Sequence, residues 1–138
     1  MSPEYDAIVF YSADDRREVI EICEKLKEKG IKLWLDIWEL RPGTDWQKEL
    51  DNVFRFAKSA IVFVGASSVS PWQNLETRAF LRESTKTMMP IIPVILESAP
   101  KAPQLPAFLS YYSWVDFRSK SPDPIEQLMW GITGQKVT

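Results

Sequence analysis

Short apolar runs alternate along the chain with longer segments in which apolar residues recur at helical spacing. Runs that are apolar almost throughout are typical of strands buried on both faces of a sheet. The alternation of such strands with helices predicts an α/β domain with a parallel sheet and helices on both faces. The predicted strands are Ala7–Ser12, Ile31–Leu35, Ala60–Val64, Ile91–Leu96 and Trp114–Phe117.

Helix boundaries are predicted from capping residues. Asp14 or Asp15 opens a first helix that Gly30 ends, and its apolar spacing makes Cys23 a core residue rather than a reactive thiol. A capping box of Thr44 with Gln47 opens a second helix. Further helices are predicted to begin at Ser70, Pro71 and at Asp123, Pro124, and the segment Asp36–Gly43 is predicted to be an exposed loop.

Composition narrows the classes of function. The 138 residues, 45% hydrophobic, fit one domain over 1–138, and a net charge of −2 gives no basic stripe for nucleic acid or an anionic membrane. No apolar run approaches the ~20 residues of a membrane span and no signal peptide is visible, so a cytoplasmic protein is expected. The chain has no His and a single Cys, which excludes His-based triads and the common zinc sites. No metal is therefore expected. Any catalysis must use carboxylates, hydroxyls, Lys, Arg or backbone groups.

Parallel α/β sheets bind ligands beyond the carboxyl ends of their strands. The segments that follow the strands are Ser12–Asp15, Asp36–Trp46, Gly65–Trp72 and the residues from Glu97 onward. Neither of the two common glycine-rich phosphate-binding motifs occurs in them. Within the second segment, Asp36 and Gly43 are assigned to substrate binding.

Glu76 is the anomaly of the third long helix. It projects from a stripe formed by Trp72, Leu75, Ala79 and Phe80, where a carboxylate needs a partner or an open cavity. Glu83 lies on the same stripe, but ~10 Å farther from the ligand edge by helical rise, so Glu76 is favoured. Trp72 precedes Glu76 by one turn and could stack on a planar ligand. Patterning alone favours the simpler interpretation, in which Trp72 covers the core and Glu76 forms a salt bridge.

Four stretches in order resemble the TIR domains. YDAIVFYSADD is similar to the first TIR box, LWLDIWELRPGTDW to the second strand and its long loop, SPWQNLE to the Trp-x-x-x-Glu stretch of NAD-cleaving members, and LPAFLSYYSWVDFR to the last strand region. The resemblance covers about residues 5–133. The sequence departs from the family pattern at Gln73, Thr77 and Ala13; Arg16 or Arg17 could compensate for Ala13, although solvated surface is the default for both.

The resemblance implies a flavodoxin-like three-layer sandwich with a five-stranded parallel sheet in the order 2-1-3-4-5. It also implies an NAD⁺ nucleosidase that releases nicotinamide by hydrolysis or cyclisation, is activated by self-association and acts in bacterial immune or cell-death signalling. NAD⁺ is then a substrate and no cofactor is expected. Glu76 becomes the catalytic carboxylate, with Tyr11, Ser12, Trp46 and Trp72 in substrate binding.

Two other functions can be compared with the sequence. In a non-enzymatic TIR interaction module, the Asp36–Gly43 segment mediates homotypic assembly beside Arg41 and Pro42, with Trp38 either as an exposed anchor or with its ring folded back on the loop. A phosphoacceptor receiver domain is excluded because the third strand ends in Val64 and Gly65 where an Asp is required. The domain is expected to be one segment of a longer protein that carries a sensor or oligomerisation domain.

Overall fold

The apolar runs pair into one parallel sheet in the order β2-β1-β3-β4-β5, as expected. The structure, a computed structural model, describes residues 4–66, 75–103, 105 and 107–136, without the side chains of residues 75, 76, 85, 107 and 108. Residues Ile8 and Ala60 are in register between β1 and β3, and Ala60 and Ile91 between β3 and β4. The strands are β1 (Ala7–Phe10), β2 (Leu33–Trp34), β3 (Ala60–Val64), β4 (Ile91–Ile95) and β5 (Val115–Asp116).

Helices cover both faces of this sheet. Within the described residues they are α1 (Arg16–Glu28), α2 (Asp36–Glu39), α3 (Trp46–Phe54), α4 (Leu75–Lys86), α5 (Ala107–Ser110) and α6 (Pro124–Thr133). Successive strand residues point to opposite faces, so Val9 joins a core with α1 and α6, and Ile8 joins a core with α3 and α4. The three-layer sandwich is therefore confirmed, and no helix of the described ranges is long and apolar enough to cross a membrane.

Several local predictions are confirmed. β3 has the predicted bounds, and Cys23 is fully buried in the core between α1 and the sheet. Asp123 caps α6 by accepting a hydrogen bond from the Ile125 amide, with Pro124 at the first helical position. The positive φ of Gly30, +90°, lies just after α1, where a left-handed residue ends a helix.

Other boundaries were wrong. Asp45, not Thr44, caps α3: its Oδ1 accepts from the amides of Gln47 and Lys48 at 3.0 and 3.3 Å. The Asp36–Gly43 segment begins with the short helix α2 rather than being loop throughout. Asp15 stands at the N-cap of α1 but accepts no capping hydrogen bond there, because a 3-10 turn over Ala13–Asp15 precedes the helix. The predicted helix start at Ser70, Pro71 lies outside the described residues.

Candidate functional site

The carboxyl end of β1 leads directly into the start of α1, and two polar side chains are buried there. Ser12 and Asp15 are each only 7% exposed. Burying a polar or charged group costs free energy unless it is hydrogen-bonded or paired. Both side chains therefore need partners that hold them in place. This edge of the sheet is where parallel α/β folds bind ligands.

Gly65, the first residue after β3, packs against the Asp15 carboxylate. A Cβ atom placed on Gly65 would lie 2.6 Å from both Cγ and Oδ1 of Asp15 and 2.8 Å from Oδ2. Only a residue without a side chain leaves room for the carboxylate at that place. Asp15 and Gly65 fall within two of the segments that sequence analysis assigned to the ligand edge, but their contact was not predicted.

Tyr11 and Asp36, both expected to bind substrate, contact each other. The Tyr11 hydroxyl donates a hydrogen bond to Asp36 Oδ1 at 2.7 Å, and Arg16 Nε donates to the Tyr11 oxygen at 3.3 Å. Burial, followed by the hydrogen bond to Asp36, raises the pKa of Tyr11 to about 12. Arg16 is thus a partner of Tyr11, whereas Arg17 is a surface residue 4.0 Å from Glu21.

The remainder of the segment after α2 is a turn on the surface. Arg41, Pro42 and Gly43 are exposed, and the Thr44 amide donates to the Arg41 carbonyl at 3.0 Å. Gly43 has φ +91°, a conformation that side chains disfavour, so glycine at this position serves the backbone of the turn. The expected role of Gly43 in substrate binding and of Arg41 and Pro42 in assembly stay predictions.

Of the two orientations open to Trp38, the structure shows the inward one rather than an exposed anchor. Its ring is half-buried against the α1 side of the core, and Lys27 Nζ lies 5.0 Å from the ring centroid. The reason is the short helix α2, which directs Trp38 toward the core and leaves Ile37, 42% exposed, on the outside. Of the two apolar side chains, Ile37 is the one available to a partner.

Trp46, expected to contact the nicotinamide side of the substrate, packs on the fully buried Trp34 with ring centroids 5.6 Å apart. It is half-buried at the first position of α3, next to the carboxyl edge. Neither indole Nε1 finds a hydrogen-bond partner within the part of the chain that the structure describes. Packing on Trp34 therefore accounts for part of the Trp46 ring surface. Contact of Trp46 with a substrate stays a prediction.

Glu76 occupies the first turn of the described part of α4. The buried residues of this helix are Thr77, Phe80, Leu81 and Ser84. At 100° per residue, position 76 lies about 90° from the centre of that buried face, on its flank rather than in the middle of it. The predicted stripe was wrong at Ala79, which is exposed. Trp72 lies outside the described residues.

Glu83, the rival carboxylate, is a surface residue. Its side chain is 59% exposed, and Oε1 lies 3.6 Å from Lys86 Nζ on the last turn of α4. Because α4 runs from the carboxyl edge of the sheet toward the amino edge, position 83 is about 10 Å farther from the ligand edge than position 76. The choice of Glu76 over Glu83 on grounds of position is consistent with this topology.

A groove of about 230 Å³ separates α3 from α4. Its floor is apolar, with Leu50, Phe54 and Phe80, and its rim carries Gln47, Asp51 and Glu83. Ala79 and Phe80 of α4 line the groove together with Glu83, one turn or less away along the helix. The sequence pattern gave the apolar faces of both helices but not the gap between them.

One further contact at this edge joins residues far apart in sequence. The amide and the hydroxyl of Ser98, in the loop after β4, both donate to the carboxylate of Glu18 on α1. The two residues are 80 positions apart, so no local pattern signals the pair. The contact fixes the loop after β4 against the helix that follows β1.

In the comparison with protein families, residues 8–129 match the model described as TIR domain. Two curated proteins are similar. The 2' cyclic ADP-D-ribose synthase AbTIR of Acinetobacter baumannii is 22% identical over 94 residues, covering 67% of this chain and 35% of that protein. The 2' cyclic ADP-D-ribose synthase BtTIR of Bacteroides thetaiotaomicron is 24% identical over 93 residues, covering 66% and 32%. The chain spans about a third of the length of these relatives.

Among solved structures, the fold is similar to the TIR domain of the Toll-related receptor TRR-2 from Hydra magnipapillata. The TM-score is 0.74 at 24% identity, over 93% of this chain and 98% of that one. This likeness supports the architecture and the strand order.

Proposed function

The chain belongs to the TIR domain family, and we propose that it cleaves the bond between nicotinamide and ribose in NAD⁺, with Glu76 as the catalytic carboxylate. Two relatives named as synthases of a cyclic ADP-ribose support this class of reaction. NAD⁺ is ADP-ribose joined to nicotinamide, so release of nicotinamide supplies the ADP-ribosyl group that either water or a hydroxyl of the same molecule can capture.

The observation that carries the proposal is the place of position 76 in the fold. It lies in the first described turn of α4, on the helix flank, at the end of the helix nearest the carboxyl edge of the sheet. Negative charge near the amino end of a helix is favoured by the helix dipole, so an ionised glutamate suits this position. Position 76 therefore suits a carboxylate that serves a ligand bound at this edge.

The chemistry requires one fixed negative charge. As nicotinamide leaves, positive charge develops on the ribose carbon, as in the cleavage of glycosides, and a carboxylate can stabilise that charge and accept hydrogen bonds from ribose hydroxyls. The chain has no His to act in its place. We assign Ser12, Trp46, Trp72 and Gly43 to the walls of the substrate site, and Tyr11 and Asp36 to the same edge.

The test compares two glutamates on one helix. Glu76→Gln should lower nicotinamide release from NAD⁺ by about 100-fold or more, the size of effect seen when a charge-stabilising group is removed. Glu83→Gln is the matched control: it changes an exposed carboxylate of the same helix and should keep activity within about twofold of the wild type. The protein is clustered on a multivalent support, and chromatography separates nicotinamide, linear ADP-ribose and cyclic products. Undiminished turnover in Glu76→Gln, with an unchanged circular dichroism spectrum, contradicts the assignment.

A second candidate is an interaction module without catalysis, and the exposure of Ile37 on α2 favours it. An apolar side chain that is 42% exposed beside an exposed turn suits contact with a second copy. If clustered wild-type protein releases no nicotinamide, and Ile37→Glu dissolves an oligomer measured by analytical ultracentrifugation, this function replaces the first. Trp38→Ala serves as the comparison variant. Because the Trp38 ring is half-buried, we expect this substitution to lower the stability of the fold as well as any association.

A further inference from the structure

Tyr11, Asp36 and Arg16 form a hydrogen-bonded group, here called the Tyr11 network, that joins three elements at the carboxyl edge. Tyr11 follows β1, Asp36 is the first residue of α2 and Arg16 is the first residue of α1. The central bond, from the Tyr11 hydroxyl to Asp36 Oδ1, measures 2.7 Å, and Arg16 Nε donates to the Tyr11 oxygen at 3.3 Å.

The Tyr11 hydroxyl and one oxygen of Asp36 are used within the protein. The Tyr11 hydroxyl donates once and accepts once, which are the functions a phenol offers. The same Asp36 oxygen also accepts from the Ile37 amide at 2.8 Å, so it holds the first turn of α2 as well as Tyr11. In this arrangement the Tyr11 hydroxyl and Asp36 Oδ1 are occupied by partners within the protein.

α2 needs contacts with other elements because it is only four residues long. One helical turn is unfavourable by itself, so its conformation depends on contacts to the rest of the fold. Trp38 supplies an apolar contact on one side, and the Tyr11 network supplies a polar one at the start of the helix. The exposed turn at Arg41–Gly43 follows directly, so its position depends on where α2 is held.

We propose that the Tyr11 network positions α2 and the turn after it over the carboxyl edge, with Tyr11 and Arg16 acting as positioning residues rather than as substrate contacts. The proposal rests on the proposed function only in that the positioned segment forms one wall of the NAD⁺ site. The positioning of α2 is argued from the contacts of Tyr11, Asp36 and Arg16 alone.

Amide hydrogen exchange of the whole chain tests the positioning of α2. The amides of Trp38, Glu39 and Leu40 are hydrogen-bonded to carbonyls of Leu35 and Asp36, so they report on α2. Tyr11→Phe keeps the ring and removes the hydroxyl, and it should speed exchange of these amides about tenfold, as expected for one hydrogen bond to a charged group. Amides of β3 should be unchanged.

Two further variants separate positioning from general destabilisation. Asp36→Ala should speed exchange in α2 as Tyr11→Phe does, whereas Asp36→Asn keeps an acceptor oxygen and should restore most of the protection. Tyr111→Phe, at a tyrosine that is 88% exposed, is the matched control for loss of a phenol hydroxyl. Exchange of the α2 amides within twofold of the wild type in Tyr11→Phe, or equal acceleration in α2 and β3, overturns the proposal.

A catalytic readout addresses the remaining part. In clustered protein, Tyr11→Phe should lower kcat/KM for NAD⁺, and Asp36→Asn should retain more activity than Asp36→Ala. If the wild type releases no nicotinamide, the proposed function fails, and the exchange experiment still decides whether the Tyr11 network positions α2. If the wild type is active and Tyr11→Phe equals it in kcat/KM, the role of the network in the reaction is refuted.

Discussion

Substituting Gly65 by Ala tests the packing at the carboxyl end of β3. The new methyl group would lie 2.6 Å from Cγ and Oδ1 of Asp15, well inside the usual separation of nonbonded atoms. Asp15 is short and 7% exposed, so it has little room to retreat, and the carboxylate must move or the backbone must shift. The substitution therefore acts through a single named contact.

The expected cost follows from two opposing effects. Overpacking of a filled site typically costs about 1–3 kcal/mol. Gly65 does not have a positive φ, so alanine fits its backbone and stabilises by about 0.4–1 kcal/mol through the unfolded state. We expect a net loss of about 1–2 kcal/mol in the free energy of unfolding. In an Asp15→Ala background the obstacle is absent, and the same substitution should become neutral or stabilising.

Urea unfolding of the four proteins in this double-mutant cycle measures the coupling. Gly131→Ala is a useful comparison, because its methyl would meet Ile92 Cδ1 at 3.0 Å, the far end of a more flexible side chain, and should cost less. If Gly65→Ala costs the same within about 0.5 kcal/mol with and without Asp15, the contact does not limit this position and the reasoning fails.

Three further predictions concern titratable groups. Burial raises the pKa of the Cys23 thiol to about 12. A disulfide reagent at neutral pH should therefore label Cys23 only after the protein is unfolded in guanidinium. Rapid labelling of the native protein would contradict the place of Cys23 in the core. The pKa of Tyr11 is raised from 10.0 to about 12, so the folded state keeps a proton that the unfolded state loses. Stability should therefore fall between about pH 10 and 12, and fall less in Tyr11→Phe, as followed by denaturant titration; equal pH profiles would refute this. The hydrogen bonds from Arg118 hold the pKa of Asp116 below 3.8, so the pair contributes stability above that pH and loses it on acidification. Arg118→Gln should flatten the acid limb of the stability profile, and an unchanged limb would count against the pair.

Much of the fold could be predicted because its signals are local. An apolar run such as Ala60–Val64 indicates a strand wherever it occurs, and Asp123 followed by Pro124 indicates a helix start from two adjacent residues. Errors occurred where neighbouring candidates compete. Thr44 and Asp45 both suit an N-cap, and in the folded chain it is the Asp45 carboxylate that accepts from the Gln47 and Lys48 amides.

The sequence indicated which residues share the carboxyl edge, but not how they contact one another. The rule that ligands bind beyond the carboxyl ends of strands brought Tyr11 and Asp36 to the same edge, and the structure joins them by a direct hydrogen bond. The sequence left the orientation of Trp38 open, because a Trp in a predicted loop carries no periodicity to show its direction. The short helix α2 turns the Trp38 ring inward, and this helix depends on contacts with other elements.

The sequence by itself determined the succession of the strands and longer helices along the chain, the buried character of the strands and the chemistry available, because these depend on residue type and on neighbours a few positions away. The tertiary structure alone decided which side chains meet across the carboxyl edge: Asp15 against Gly65, Tyr11 with Asp36, and Glu18 with Ser98. Such pairs lie on different elements, and the parallel sheet brings them together only after its strands have paired in the order 2-1-3-4-5.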